Sequence, residues 1–469
     1  MTLRSSLFAL LMTAGVSAAA DPADWPTYRG NPARTGNTDG LPGPKKPSVL
    51  WVVKSQDHFL AAPVPVKGGV YVAGVGAFNR PTASVLAADT GVPVWSRSAP
   101  YFRLASVSSP AAVGNLLFLG DGMHQDAGGI LHALTVDKGQ PLWQHPMPGE
   151  LVHLEGAPTV AGGRVYMGAG DGGVVCVEAA QATLDGKPVT PAEIEARQSA
   201  RWKELQAKYE ADKKRDPDFA VPPNEDQLFK PSPKLVWQQG VKKWHVDAPV
   251  NVAGGKVLAA SSFLDKEKSG RRELFALDAA TGETKWSFAL PLNPWGGASV
   301  LGETVVVTGS SVGYAVGELK GAKGEIVALD LATGTVKWRK DLPGGVVGCA
   351  ALVDGVAIVT ATDGKVRALS LTDGERRWLY DAKAPLFAPA AVAAGTVYVA
   401  DLVGAVHAID SATGAGLWRL DLGTDPKVKS PGMVYAGASV HGGRVYVGTV
   451  NLEGPNARKP TCFVAIGEK

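Results

Sequence analysis

The stretch ALDAATGETKW, residues 276–286, decides the fold of this 469-residue chain because it recurs. Close copies stand at 328–338, ALDLATGTVKW, and at 408–418, AIDSATGAGLW. Each copy has an apolar start, an aspartate, a Thr-Gly pair typical of a tight turn, and a closing tryptophan. Repeated copies of one phrase indicate either a duplicated site or a duplicated piece of architecture.

Weaker copies extend the pattern along almost the whole chain. Consecutive closing tryptophans are 40 to 52 residues apart, except for one gap of 94 residues. Each unit offers about four short strands rich in Val, Ala, Leu and Tyr, bounded by Gly, Asp and Asn turns. Four-stranded units of this length, repeated radially, form a β-propeller, so the phrase is architecture. The eight closing tryptophans are Trp51, Trp95, Trp143, Trp237, Trp286, Trp338, Trp378 and Trp418.

The two ends of the array predict closure of a ring. The last unit offers strands at 436–442, 444–450 and 461–466 but no tryptophan strand, whereas the first, PSVLWVV at 47–53, lacks three preceding strands. Joined, they complete an all-β, eight-bladed propeller over residues 47–469. Closure removes the exposed strand edges that recruit other chains, so we expect a monomer.

The N-terminal residues 1–20 have the features of a cleavable secretory signal. Arg4 precedes an apolar run from Leu7 to Val16, and small residues end the segment. We expect the mature chain to begin at Asp21, with a leader over 21–46, and to be periplasmic or secreted. No later run approaches the roughly 20 apolar residues of a membrane span, so we expect no transmembrane segment.

Charge and cysteine content exclude several classes of function. The formal net charge is only +3, and no dense basic block suggests nucleic-acid binding. The three cysteines, Cys176, Cys349 and Cys462, are odd in number and far apart. The sequence therefore predicts neither a disulfide framework nor a cysteine metal site.

The repeated phrase resembles the tryptophan-docking motif of the pyrroloquinoline-quinone-like (PQQ-like) β-propeller repeat family. The leader DWPTYRGNPARTG at 24–36 also resembles the N-terminal stretch of secreted members. The resemblance implies that each closing tryptophan wedges between neighbouring blades. It also implies two family functions: quinone-dependent dehydrogenation and partner binding by BamB-type outer-membrane assembly scaffolds.

The 94-residue gap predicts a helical insertion over 180–233 within the third blade. Thr190-Pro191-Ala192-Glu193 forms a capping box with proline at the first helical position, so a helix should run to about Lys214. A narrow row of apolar side chains follows one face of this helix. Either this face packs against the propeller, or it binds a partner.

In a four-stranded blade, the loop that enters the innermost strand lies on the same side as the loop between the second and third strands. We call this side the loop face, because here the second-to-third-strand loops are long, at 74–84, 120–129, 261–271, 310–323 and 451–460. Mixed aromatic and ionisable residues near the axis suit a protein partner or a small polar ligand, although these loops could equally be solvated without any ligand. The candidate residues in the entering loops are His58, His153, Glu155, Trp244, His245, Asp247, Trp295 and Tyr435.

Two functions remain open after this interpretation. Quinoproteins of this fold class hold pyrroloquinoline quinone with calcium and a catalytic aspartate, and many stack two adjacent cysteines on the quinone. This chain has no adjacent cysteine pair and no recognisable calcium-ligand set, and BamB-type scaffolds carry a lipid-anchor cysteine that is missing here. We therefore expect a non-catalytic binding or scaffold propeller without a cofactor, assign no residue to catalysis or to a metal, and keep a quinone-dependent alcohol or sugar dehydrogenase as the alternative.

Overall fold

The structure, a computed structural model, describes Trp25, residues 27–98, 101–124 and 126–469. The predicted signal peptide and the first residues of the predicted leader lie outside the described residues. Eight antiparallel sheets follow one another along the described chain, seven with four strands and one with five. The prediction of an eight-bladed β-propeller is confirmed.

Except in the five-stranded blade 3, the strands of the first four blades pair with one another in chain order. Blade 1 contains β2 (Val64–Val66), β3 (Gly69–Val75), β4 (Pro81–Ala87) and β5 (Pro93–Ser98). Blade 2 contains β6 (Ala111–Val113), β7 (Leu116–Gly120), β8 (Ile130–Thr135) and β9 (Pro141–Pro146). Blade 3 contains β10 (Thr159–Ala161), β11 (Arg164–Gly168), β12 (Val174–Leu184), β13 (Lys187–Val189) and β14 (Ser232–Gln239). Blade 4 contains β15 (Asn251–Ala253), β16 (Lys256–Leu264), β17 (Ser269–Asp278) and β18 (Thr284–Ala289).

The remaining blades repeat this order, and the last one closes the ring. Blade 5 contains β19 (Ala298–Leu301), β20 (Thr304–Ser310), β21 (Lys323–Asp330) and β22 (Val336–Pro343). Blade 6 contains β23 (Ala351–Val353), β24 (Val356–Thr360), β25 (Lys365–Ser370) and β26 (Arg376–Asp381). Blade 7 contains β27 (Ala391–Ala393), β28 (Thr396–Ala400), β29 (Ala405–Asp410) and β30 (Gly416–Asp421). Blade 8 contains β31 (Ser439–His441), β32 (Arg444–Gly448), β33 (Thr461–Glu468) and, from the N-terminal end, β1 (Pro47–Ser55).

The repeated phrase folds locally as a turn between the two outer strands of a blade. In the first copy, Asp278 Oδ1 accepts hydrogen bonds from the backbone N–H groups of Ala280 and Thr281. Gly282 then takes a positive φ of 76°, which glycine adopts without strain. A Cβ atom on Gly282 would stand 2.7 Å from the Trp237 ring of the preceding blade. The glycine therefore serves the turn and also makes room for the neighbouring tryptophan.

Each closing tryptophan contacts the next blade around the ring. Trp286 Nε1 donates a hydrogen bond to the carbonyl oxygen of Leu331, one residue beyond the turn aspartate of blade 5. The other seven tryptophans make the same bond, and the last of them, Trp418, donates to Pro44 and so joins blade 7 to the chain that enters blade 8. The repeated phrase thus encodes both a turn and a blade-to-blade contact.

The helix within blade 3 begins at the predicted capping box. Helix α1 (Pro191–Arg215) has reciprocal hydrogen bonds between Thr190 and Glu193 at its start. It packs against β9 and β12, and Ile194 joins the apolar interior between blades 2 and 3. Among the described helices, none is long and apolar enough to cross a bilayer. Short 3₁₀ turns occur at Ala77–Asn79, Glu225–Gln227, Val316–Glu318 and Gly454–Asn456.

The leader runs along the innermost strands of the propeller. Trp25 forms an antiparallel bridge with Ala112 in β6, and Thr27 Oγ1 lies 2.7 Å from Thr159 Oγ1 in β10. Four leader carbonyl groups then accept hydrogen bonds from β19, β23, β27 and β31 in succession. These bonds run from Val300, Leu352, Val392 and Val440 to Pro32, Ala33, Thr35 and Gly36. The leader satisfies backbone groups on strand edges that face the propeller axis.

Candidate functional site

Loops from three consecutive blades bring ionisable side chains together on the loop face. His124 lies in the loop between β7 and β8, and His153 and Glu155 lie in the segment that enters blade 3. His245 and Asp247 lie in the segment that enters blade 4. The alternating strand directions place all three segments on one side of the ring.

A short backbone pairing fixes the direction of His245 and Asp247. The residue between them, Val246, forms an antiparallel bridge with Gly170, and both backbone hydrogen bonds are made. Successive side chains of an extended segment point to opposite sides. Val246 is fully buried in the apolar interior, so His245 and Asp247 both point away from it. Gly170 has a positive φ, and a Cβ atom there would stand 2.3 Å from the carbonyl oxygen of Leu151.

Asp247 lies between two buried imidazoles. Its Oδ2 atom is 2.8 Å from Nε2 of His245, and its Oδ1 atom is 3.1 Å from Nε2 of His153. Both histidine side chains are fully buried, whereas the side chain of His124 is 42 % exposed at the solvent side. Each of the four residues offers one nitrogen or oxygen atom that lies within 4.8 Å of the other three. We call His124, His153, His245 and Asp247 the histidine cluster.

A second carboxylate binds the other ring nitrogen of His245, the one that does not contact Asp247. Asp171, in the turn between β11 and β12, accepts a hydrogen bond of 2.6 Å from Nδ1 of His245. Ser269 Oγ donates to the same carboxylate oxygen over 2.7 Å. This bond fixes the His245 ring with Nε2 directed into the cluster.

Several buried atoms of the cluster make no directed hydrogen bond. The contacts of Asp247 with His153 and His245 lie within ion-pair distance, but they lack the angles that a hydrogen bond requires. Within the histidine cluster, four buried atoms have no hydrogen-bond partner: Nδ1 and Nε2 of His153, Nε2 of His245 and Oδ1 of Asp247. Buried polar atoms are usually satisfied, so this group differs from an ordinary core contact.

Burial and mutual attraction shift the ionisation of the cluster. Burial opposes protonation of His245, but the Asp247 and Asp171 carboxylates outweigh it and raise the pKa of His245 to about 9. Burial also opposes protonation of His153, but the Asp247 and Glu155 carboxylates raise its pKa, whereas burial lowers the pKa of His124. Burial of Asp247 favours its neutral form, but His153 and His245 hold its pKa well below the usual value. Burial, followed by the charge of Asp247, raises the pKa of Glu155 to about 7.

The atoms of this donor set determine which metal ions it suits. Three imidazoles and one carboxylate suit borderline divalent ions such as Zn²⁺, Cu²⁺ or Ni²⁺. Calcium and other hard cations prefer six to eight oxygen ligands. The cluster therefore does not fit a calcium ion of the kind that accompanies the quinone in quinoproteins of this fold class.

Two other candidates from the sequence, Trp295 and Tyr435, lie elsewhere on the loop face. They belong to an apolar group with Phe387 and neighbouring aliphatic side chains. Tyr435 donates a 2.6 Å hydrogen bond from its hydroxyl to Glu453, and its ring stacks on Tyr314 with centroids 6.3 Å apart. Glu453 also accepts the N–H of Val316, so the blade 5 and blade 8 loops meet above the axis.

The last two candidates have local packing partners. His58 accepts a hydrogen bond at Nδ1 from the backbone N–H of Asn451, and its own backbone pairs with Val75. Trp244 is buried and stacks on Phe275 with centroids 4.0 Å apart. Neither residue joins the histidine cluster, whereas His153, Glu155, His245 and Asp247 are brought together.

Sequence reasoning missed two members of this site. His124 lies within 120–129, a loop that the sequence analysis marks only by its length. Asp171 lies in GAGDGG, residues 168–173, which reads as a hairpin turn. The turn is present, and it also carries the carboxylate that holds His245. The entering segments carry the patterns H-x-E and H-x-D. An ionisable residue in a neighbouring loop of the same face is the signal that could have found both His124 and Asp171.

These features define a class of protein: an eight-bladed β-propeller of PQQ-like repeats with an elaborated loop face. A family profile described as outer membrane protein assembly factor BamB matches residues 44–204, 227–323 and 295–454. These ranges cover most of the sequence, and the chain belongs to this family. A comparison with curated proteins finds no match.

Solved structures with the same fold include both scaffolds and enzymes. BamB from Moraxella catarrhalis has a TM-score of 0.57 and 14 % identity, over 90 % of this chain and 97 % of that one. A europium-containing methanol dehydrogenase has a TM-score of 0.61 and 13 % identity, over 95 % and 98 %. A quinohemoprotein alcohol dehydrogenase from Pseudomonas putida HK5 has a TM-score of 0.57 and 14 % identity, over 95 % and 80 %. At these identities the likeness shows the fold alone.

Proposed function

We propose that this chain is an exported, non-catalytic scaffold propeller that binds a protein partner with its loop face. The observation that carries the proposal is Phe78, which lies on the loop face between β3 and β4. Its side chain is fully exposed and its φ is +59°, a conformation unfavourable for a bulky residue. Strained backbone is concentrated at functional sites, and aromatic side chains are frequent anchors in protein interfaces.

Other partly exposed apolar side chains lie in the blade 5 and blade 8 loops of the same face. Tyr314 is 47 % exposed in the blade 5 loop, and Leu452 is 49 % exposed in the blade 8 loop. Family membership and the likeness to a BamB structure support a scaffold role. Apolar side chains surrounded by polar loops are the arrangement of a protein-binding surface.

Site-specific photocrosslinking in the native host tests this proposal. A photoreactive amino acid is placed at Phe78, Tyr314 or Leu452, with Lys67 as the matched control. Lys67 is exposed in the turn between β2 and β3, on the opposite face. We expect the same discrete adduct from the three loop-face positions and none from Lys67. Equal labelling from both faces, or no adduct from any position, would contradict the proposal.

Export is a separate part of the proposal and has its own measurement. The sequence features of residues 1–20 support cleavage before Asp21 and release into the periplasm or the medium. N-terminal sequencing of the protein isolated from fractionated cells should give Asp-Pro-Ala-Asp. A cytoplasmic protein that retains residues 1–20 would contradict export.

A quinoprotein dehydrogenase remains the second candidate because enzymes of that class share the fold. Asp247, which would have to serve as the catalytic aspartate of such an enzyme, already contacts two imidazoles, and the donor set around it does not suit calcium. We therefore expect no saturable binding of pyrroloquinoline quinone with calcium by calorimetry, and no dye-linked oxidation of alcohols or sugars. A stoichiometric complex that weakens in Asp247→Ala would favour the dehydrogenase.

A further inference from the structure

We propose that the histidine cluster binds one divalent transition-metal ion of the zinc class. The ligand atoms would be one nitrogen from each of His124, His153 and His245 and one oxygen from Asp247. This inference is independent of the protein partner proposed above, because it concerns a buried site and a different ligand.

The spacing of the ligand atoms favours a common centre. Tetrahedral Zn²⁺ with bonds of about 2.0 to 2.1 Å separates its ligand atoms by roughly 3.4 Å. Either oxygen of Asp247 is already near that separation from one imidazole: Oδ2 is 2.8 Å from Nε2 of His245, and Oδ1 is 3.1 Å from Nε2 of His153. The full set lies within 4.8 Å, so small rotations of the side chains would bring it to a metal.

The surroundings of His245 match those of a metal ligand. A metal-bound histidine usually donates its other ring N–H to a carboxylate, which fixes the ring and increases its basicity. Asp171 accepts this bond from Nδ1 of His245 and is itself held by Ser269. Asp171 is therefore a positioning residue that acts through His245.

Ordinary histidine–aspartate pairs in the same protein look different. His132 lies 2.9 Å from Asp121, and its other ring nitrogen is 3.2 Å from the side-chain amide of Gln144. His407 likewise pairs with Asp401 through Nε2 and with the Tyr380 hydroxyl through Nδ1. In both pairs each ring nitrogen has a hydrogen-bond partner. The histidine cluster instead leaves four buried nitrogen and oxygen atoms without a hydrogen-bond partner.

The partly exposed His124 makes the site accessible from the loop face. An ion could approach on its side while His153, His245 and Asp247 hold the buried side. Once bound, the ion would connect the blade 2 loop with the segments that enter blades 3 and 4. Such a bond network joins residues far apart in sequence, as structural metals do.

Titration of the tag-free mature protein tests the site directly. The protein is dialysed against a chelator and titrated with Zn²⁺ by calorimetry, with Ca²⁺ as a comparison. We expect one equivalent of Zn²⁺ per chain and no saturable heat with Ca²⁺. Replacement by Co²⁺ should give the visible absorption bands of a four-coordinate ion. No saturable Zn²⁺ binding, or equal binding of Ca²⁺, would overturn the proposal.

Variants separate a metal site from a buried ion-pair cluster. His124→Ala should retain the fold because the side chain is partly exposed, and it should weaken Zn²⁺ binding at least as strongly as Asp171→Asn. Loss of the outer carboxylate should reduce affinity about 10- to 100-fold and alter the Co²⁺ spectrum. His441→Gln, a half-buried histidine of blade 8, is the matched control and should bind normally. Unchanged affinity in both His124→Ala and Asp171→Asn would overturn the assignment.

Discussion

Trp338 Nε1 donates a 2.8 Å hydrogen bond to the carbonyl oxygen of Leu371, which belongs to the next blade. The Trp338 side chain is buried between blades 5 and 6. We expect Trp338→Ala to lower the free energy of unfolding by about 3 to 5 kcal/mol, because truncation leaves a cavity between the blades. Trp338→Phe should cost less, since it keeps much of the buried area. Denaturant unfolding measures both, and an unchanged midpoint in Trp338→Ala would contradict an architectural role.

The space that the turn glycine leaves for the indole can be tested separately from the cost of its positive φ. Gly374 and Gly355 have nearly equal positive φ angles, 72° and 75°. A Cβ atom on Gly374 would stand 2.7 Å from the Trp338 ring, whereas one on Gly355 would meet nothing within 4 Å. Alanine at either position costs about 1 to 2 kcal/mol for the backbone. Gly374→Ala should lower the melting temperature further than Gly355→Ala does, and equal losses would exclude the steric contribution of the indole.

The helix of blade 3 should contribute to stability through its first turns. Ile194 is 1 % exposed and packs with Trp143 and Leu184 between blades 2 and 3, whereas Tyr209 near the other end is partly exposed. Ile194→Ala should cost about 2 to 5 kcal/mol, and Tyr209→Ala less than about 1 kcal/mol. Thermal unfolding compares the two variants. Equal small effects would indicate that the helix is not part of the core.

The three cysteines should be unreactive in the folded protein. Cys176, Cys349 and Cys462 are free and buried. Burial raises the pKa of Cys176 to about 12 and that of Cys462 to about 11, so neither thiol ionises near neutral pH. A thiol-specific chromogenic reagent should detect no thiol under native conditions and three after denaturation. Rapid native labelling would show that a cysteine is accessible.

The sequence predicts the ring well because each blade is encoded by local patterns. The Asp278 turn, the Gly282 conformation and the tryptophan of the next strand all lie within eleven residues. The loop between β16 and β17 in blade 4 is shorter than the predicted loop at 261–271. Strand β16 continues to Leu264, and β17 begins at Ser269. Alternation of apolar residues fades where strands extend beyond the core, so loop lengths are overestimated there.

The histidine cluster could be predicted only in part because its members come from separate loops. His245 and Asp247 share a short segment, as do His153 and Glu155, so a local pattern predicts each pair. Their contact with each other depends on the bridge between Gly170 and Val246, and on the angle between neighbouring blades. These are tertiary features that no local pattern encodes. His124 reaches the same point from blade 2, about 120 residues before Asp247, and its role depends on the path of its loop.

The leader should be part of the folded core, since Trp25 is fully buried and its backbone pairs with Ala112. Trp25→Ala should therefore lower the free energy of unfolding by about 3 to 5 kcal/mol, with the mature protein as the reference. Leu41→Ala is the matched control, because Leu41 is 50 % exposed in the same leader and should change stability by less than about 0.5 kcal/mol. Chemical unfolding followed by tryptophan fluorescence and circular dichroism measures both variants. If Trp25→Ala unfolds at the same denaturant concentration as the unmodified protein, the leader is not a component of the core.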